Sequence, residues 1–156
     1  MDSIIEKLVD LINNFDPVSY LPEISSILGW TELFLRICVM AAPVIVLIYG
    51  LSWLLLPPKE ANHVAGYRFY FGMGSVAAWR FTQKFAGIVW SVLGLSLSVI
   101  MFLVTGNFRG METMVMVDRA VLCILWEIGL MILSILVINL TLTIRYDRKG
   151  NVRWAK

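Results

Sequence analysis

The sequence is poor in the residues that most chemistry requires. It has one histidine, His63, and two cysteines, Cys38 and Cys123, in 156 residues. Both cysteines lie inside apolar runs, where they read as small packing residues, so neither a disulfide framework nor a zinc site is indicated. No nucleophile–base spacing, metal-ligand cluster or phosphate-cradling glycine loop accompanies the histidine. The chain therefore reads as a non-enzyme with no metal and no cofactor, and His63 as an interfacial hydrogen-bonding residue. Charge is scarce as well. Only 15% of residues are charged against 59% apolar, which excludes an ordinary water-soluble domain. A formal net charge of +2, with no basic patch on a recognisable fold, excludes nucleic acid as a partner.

What fills the sequence instead is three apolar runs of about 20 residues each, the length that crosses a bilayer as a helix. The expected fold is an all-α integral membrane protein with three transmembrane helices and an amphipathic N-terminal helix. The spans are expected over about 33–56, 86–104 and 120–143, within a membrane domain of about 31–143. An interfacial segment, roughly 1–30, precedes them, a connector of about 57–85 joins the first two, and a basic tail of about 144–156 follows.

The N-terminal segment opens on Ser3-Ile4-Ile5-Glu6, a capping-box pattern, and Ile4, Ile5, Leu8, Leu11 and Ile12 then share one helical face. Such a helix suits the membrane surface or the bundle flank, with a partner protein as the alternative. It lacks the basic start, continuous apolar centre and cleavage site of a signal peptide. In the first span Pro43 removes one backbone hydrogen bond, and Arg36 stands four residues after Glu32 on the same face. Pro57-Pro58 stops that helix.

The second helix is expected to begin near Ser75, after Gly72-Met73-Gly74, ahead of its apolar run. Gly87, Ser91, Gly94 and Ser98 line one face as a seam of small residues that permits close helix approach in lipid. In the third span Cys123, Glu127, Ser134 and Thr141 fall on one stripe. Glu127 is an acid well inside an apolar run, about 10 Å below the first residue of the span at about 1.5 Å per residue. It needs protonation or a partner, and Arg36 is a feasible one; a structural lock and a ligand, proton or peptide contact both remain open.

Lysine and arginine set the expected orientation. The connector carries Lys59, Arg68, Arg80 and Lys84, and the tail carries Arg145, Arg148, Lys149, Arg153 and Lys156, nine of the 13 basic residues. The positive-inside rule then places connector and tail in the cytoplasm and the N-terminus outside. The tail reads as a topology anchor against anionic lipid, with a docking peptide as the alternative.

The connector is the least generic stretch. It brings together Asn62, Gly66, Tyr67, Arg68, Phe69, Tyr70, Phe71 and Trp79, and it suits either a folded interfacial loop or a recognition surface. The ordered set Pro57, Pro58, Lys59, Asn62, Gly66, Tyr67, Arg68, Trp79, Lys84 and Gly87, at the junction of two spans, resembles the signature of the SdpI family of bacterial membrane proteins. Phe69 stands where the family commonly has threonine, Gly72-Met73-Gly74-Ser75 replaces a more polar run, and Gln83 stands for the usual asparagine. The resemblance covers roughly residues 33–143, and the additional spans of longer members have no counterpart here. It implies a multi-pass protein of the bacterial cell membrane that gives immunity to a secreted toxic peptide and signals through a cytoplasmic regulator. The outer face and Glu127 stripe would then meet the peptide, and the region from Tyr67 to Trp79 the regulator. The alternative is an accessory or structural subunit of a membrane complex such as a transporter. A homo-oligomer suits either.

Overall fold

A computed structural model describes residues 24–61 and 65–153. The proposed N-terminal amphipathic helix, Asn62, His63 and the last three residues of the tail lie outside the described residues. Three long helices carry the fold: α1 (Ile24–Leu55), α2 (Val76–Gly106) and α3 (Thr113–Arg145). All three are long and apolar enough to cross a membrane. A 3-10 turn, Tyr70–Gly72, lies in the connector, and one isolated antiparallel bridge pairs Tyr146 with Val152.

Each helix outruns its apolar core. At about 1.5 Å per residue α2 and α3 measure roughly 45–50 Å, against a hydrocarbon layer of about 30 Å. The surplus of α2 lies at its start, where Ser75 takes the N-cap and its hydroxyl accepts from the Ala78 amide at 3.1 Å. The α2–α3 turn is short, and Phe108 within it is fully buried. The bundle therefore has a connector end and a turn end.

Helix pairing is unequal. Most of the interhelical packing joins α1 to α2, and α3 rests more lightly on both. The small-residue seam explains the asymmetry. A Cβ on Gly87 would lie 2.9 Å from the Leu54 amide nitrogen, one on Gly94 2.6 Å from the Leu47 Cα, and one on Gly50 2.6 Å from the Trp90 carbonyl carbon. Backbone thus meets backbone along Gly87, Ser91 and Gly94, with Gly50 as the answering residue on α1. In lipid, where apolar surface alone does not drive helices together, such close approach is the main source of attraction.

The core falls into two apolar clusters. Val39, Leu97, Met101, Phe108, Met116 and Ala120 fill the turn end. Tyr67, Ala78, Ala86, Ile138, Leu142 and Tyr146 fill the connector end, with Trp53, Phe81 and Trp90 packed against them. Large apolar side chains such as Ile48, Val92, Phe102, Leu125 and Leu136 point outward along all three helices, as a lipid solvent requires. Both cysteine thiols are free.

Candidate functional site

The connector folds back onto the bundle around one residue, Gln83. Its buried side-chain amide accepts from the Tyr67 amide at 2.7 Å and donates to the Tyr67 carbonyl at 2.8 Å, so one glutamine satisfies both backbone groups of a loop residue. Without that clamp a loop lying against apolar helices would strand two polar groups. The preceding Gly66 has φ +101°, and a Cβ there would stand 2.6 Å from the Gln83 Oε1. Both facts require glycine.

Tyr67 is then held from all sides. Its ring meets Trp53 edge-on at 5.8 Å and Trp90 at 6.0 Å, while Trp53 and Trp90 lie 4.7 Å apart. Its hydroxyl donates to Asn139 Oδ1 of α3 at 2.7 Å. Burial pushes the phenol up to about 12 from its usual 10.0. The Trp79 indole donates to the Pro58 carbonyl at 2.8 Å and ties the start of the connector to α2. One residue of the connector thereby touches all three helices.

The tail joins the same assembly. Ser75, besides capping α2, donates from its hydroxyl to the Gly150 carbonyl at 2.8 Å. Gly150 has φ +75°, and Gly74 and Ser75 lie against it too closely for a side chain. Asp147 Oδ1 accepts from the amides of Lys149 and Asn151, each at 2.8 Å, and these bonds, led by the Asn151 amide, lower its carboxyl below the usual range. Arg145 sits over the Phe81 ring at 4.2 Å, and Arg153 Nε donates to the Tyr146 carbonyl at 2.9 Å. Through Arg153 the tail is thus a folded hairpin closing the connector end.

Of the signature residues, Pro58, Gly66, Tyr67 and Trp79 meet in this network, and Gly87 lies in the helix seam one turn below Gln83. Arg68 is exposed and lines a cavity of about 420 Å³ with Tyr49, Ser52, Trp53 and Pro58. Pro57 and Lys84 line a second cavity that shares Trp53 and Pro58 with the first.

The intramembrane polar residues are arranged differently. Glu127 is buried on α3, and neither of its carboxyl oxygens has a hydrogen-bond partner among the described residues. Arg36 does not reach it. Its guanidinium pairs with Glu32, one turn away, at 2.5 Å, because the i,i+4 neighbour is always within range whereas Glu127 belongs to a different helix and a different level. The Ser91 and Ser98 hydroxyls are likewise buried without partners among the described residues. Ser134 donates to the Met131 carbonyl and Thr141 to the Val137 carbonyl, each within its own helix. Among the described residues no group of three His, Cys, Asp or Glu gathers into a metal-holding arrangement.

Sequence reasoning treated Gln83 only as a departure from the family pattern and did not single out Gly50, Trp53 or Asn139. Asn139 carried a usable signal, as an amide within a long apolar run. Gly50 carried a signal too, as a glycine inside the first apolar run, where a side chain would meet the Trp90 and Ser91 backbone.

A family model, the SdpI/YfhL protein family, matches residues 59–144. The match covers the connector, α2 and nearly all of α3, and begins after α1 and the two prolines. No curated protein matches the chain, nor does any solved structure. With more than half of the chain matched and its signature residues gathered at one end of a three-helix bundle, this multi-pass bacterial membrane protein belongs to the SdpI/YfhL protein family.

Proposed function

We propose that the chain protects a bacterial membrane against a membrane-active peptide, as an immunity-type member of its family. The observation that carries this reading is the family match across connector and two spans, and the packing of Pro58, Gly66, Tyr67 and Trp79 against one another at the connector end supports it. The expected orientation, N-terminus outside and connector and tail in the cytoplasm, rests on the nine of 13 basic residues that fall in the connector and tail sequences. The division into an interfacial segment 1–30, a membrane domain 31–143 and a tail 144–156 belongs to the same proposal.

Within it, the roles separate. Gly66, Tyr67 and Trp79 hold the loop in shape, and Arg68 with its cavity is the part left to meet a cytoplasmic regulator. The peptide would meet the turn end, where Glu32, Arg36 and Arg109 line a cavity of about 350 Å³, and the Glu127 stripe below it. A guanidinium pair beside one carboxylate suits a peptide carrying both charge signs.

The test is survival of sensitive cells under peptide challenge. Wild-type chain should protect, and Arg68→Ala should not at unchanged protein level; retained protection would remove Arg68 from the role. Failure of the wild type would favour the second reading, an accessory subunit of a membrane complex. One observation supports that reading: Trp126, near the midpoint of α3, is 69% exposed, although tryptophan favours the interface over the hydrocarbon centre. The small-residue seam does not add to it, since α1 already occupies it.

A further inference from the structure

Three cations converge on one cavity at the connector end. Lys59, just past the two prolines, and Arg80 and Lys84 of α2 line a volume of about 470 Å³ whose other walls include Trp53, Leu54 and Pro57. All three cations are exposed, and none forms an ion pair with a carboxylate among the described residues. Left alone, the arrangement is unfavourable. Arg80 and Lys84 stand four residues apart on one helical face, where like charges repel. Arg80 also lies in the second turn of α2, close to the positive end of the helix dipole, and the first turn has no acidic residue to offset it. One anion relieves all of these repulsions together.

The walls indicate what kind of anion. Trp53 and Leu54 belong to the last turn of α1, immediately before the apolar run stops at Pro57, so the cavity sits at headgroup depth with an apolar floor and a cationic rim. A free ion has no use for the floor, whereas an amphiphile fits both parts. We propose that this cavity binds the phosphate headgroup of an anionic phospholipid, with the glycerol and first acyl carbons against Trp53 and Leu54. The inference does not depend on the immunity reading.

Native mass spectrometry tests it. The purified full chain is released from nanodiscs containing equal parts phosphatidylglycerol and phosphatidylcholine with the same acyl chains, and the lipid it retains is counted. Both leaflets have one composition, so the orientation of the chain does not enter. Phosphatidylglycerol should be retained in preference, and Lys59→Gln, Arg80→Gln and Lys84→Gln should each lower that preference about fivefold. Lys84→Arg should keep it, which separates lost charge from lost fold. An Arg148→Gln/Lys149→Gln variant, altered in the tail, should keep it as well. Three results would overturn the proposal: no preference in the wild type, an equal loss in the tail variant, or loss in Lys84→Arg. Displacement by free glycerol 3-phosphate as effective as by the lipid would also overturn it, in favour of a site for a soluble phosphate.

Discussion

The connector end and the middle of the bundle handle polar groups in opposite ways. At the connector end the groups that tie the loop down are answered, Tyr67 by Gln83 and Asn139, Trp79 by Pro58, and Ser75 by Gly150, and of the buried side chains there only the Trp90 indole lacks a partner among the described residues. In the middle, Glu127 and the hydroxyls of Ser91 and Ser98 are buried with no partner among the described residues, and α1 and α2 are held by glycine-to-backbone contact. The difference follows from what each region must bury. A loop laid on a bundle carries unpaired peptide groups that side chains must satisfy, whereas a transmembrane helix satisfies its own backbone and needs only shape. Order at one end is therefore a matter of hydrogen bonds, and order in the middle a matter of volume.

Substitutions that attack volume in the middle should have the largest effect. Gly94→Val drives a branched side chain into the Leu47 backbone and should destabilise the bundle by about 3 kcal/mol or more, read as a lowered thermal midpoint in detergent by circular dichroism. Substitutions that attack hydrogen bonding at the connector end come next. Gln83→Leu leaves both Tyr67 backbone groups unanswered and should cost about 2 kcal/mol, with protease sensitivity appearing in the connector before the spans melt. Connector cleavage unchanged from wild type would mean that the clamp does not order the loop.

Tyr67→Phe should cost about 1 kcal/mol through loss of the Asn139 bond. The same residue gives a pH signature. Its folded phenol titrates near 12 against 10.0 for an exposed one, so the folded state holds the proton more tightly. The stabilisation is complete below pH 10.0 and is lost as pH rises toward about 12, and in Tyr67→Phe that share of the alkaline loss should vanish. In the middle, Glu127→Gln should leave the thermal midpoint unchanged or raise it, because no hydrogen bond is broken and a group that can carry charge is removed. A marked loss would show that the carboxylate is engaged by something beyond this chain, and would erase the contrast between the two regions. Ser98→Ala should fall within about 0.5 kcal/mol of wild type.

Much of this architecture was legible in the residues, and for identifiable reasons. Three apolar runs can only be spans, Pro57-Pro58 can only end a helix, and Ser75 after Gly72-Met73-Gly74 is a cap that α2 uses. The seam of Gly87, Ser91 and Gly94 announced close packing, although not its partner. The candidate site was legible as a set of residues and illegible as a mechanism. Gly66, Tyr67 and Trp79 stood out, but the dependence of Gly66 and Tyr67 on Gln83 crosses some 16 residues of loop and helix and leaves no periodic trace. The pairing of Arg36 was decided by proximity within one helix, and the fate of the tail by a glycine turn, Gly150, docking on Gly74 and Ser75.

The sequence by itself determined what depends on local chemistry and on the solvent: the number of apolar helices, the proline stop after the first, the serine cap of the second, and the family to which the chain belongs. Only the tertiary structure decided which helix fills the small-residue seam, which side chain closes the Tyr67 loop, and which cations share one cavity. Those outcomes are set by contacts between segments distant in the chain, and hydrophobic periodicity specifies a helix face without naming the surface that covers it.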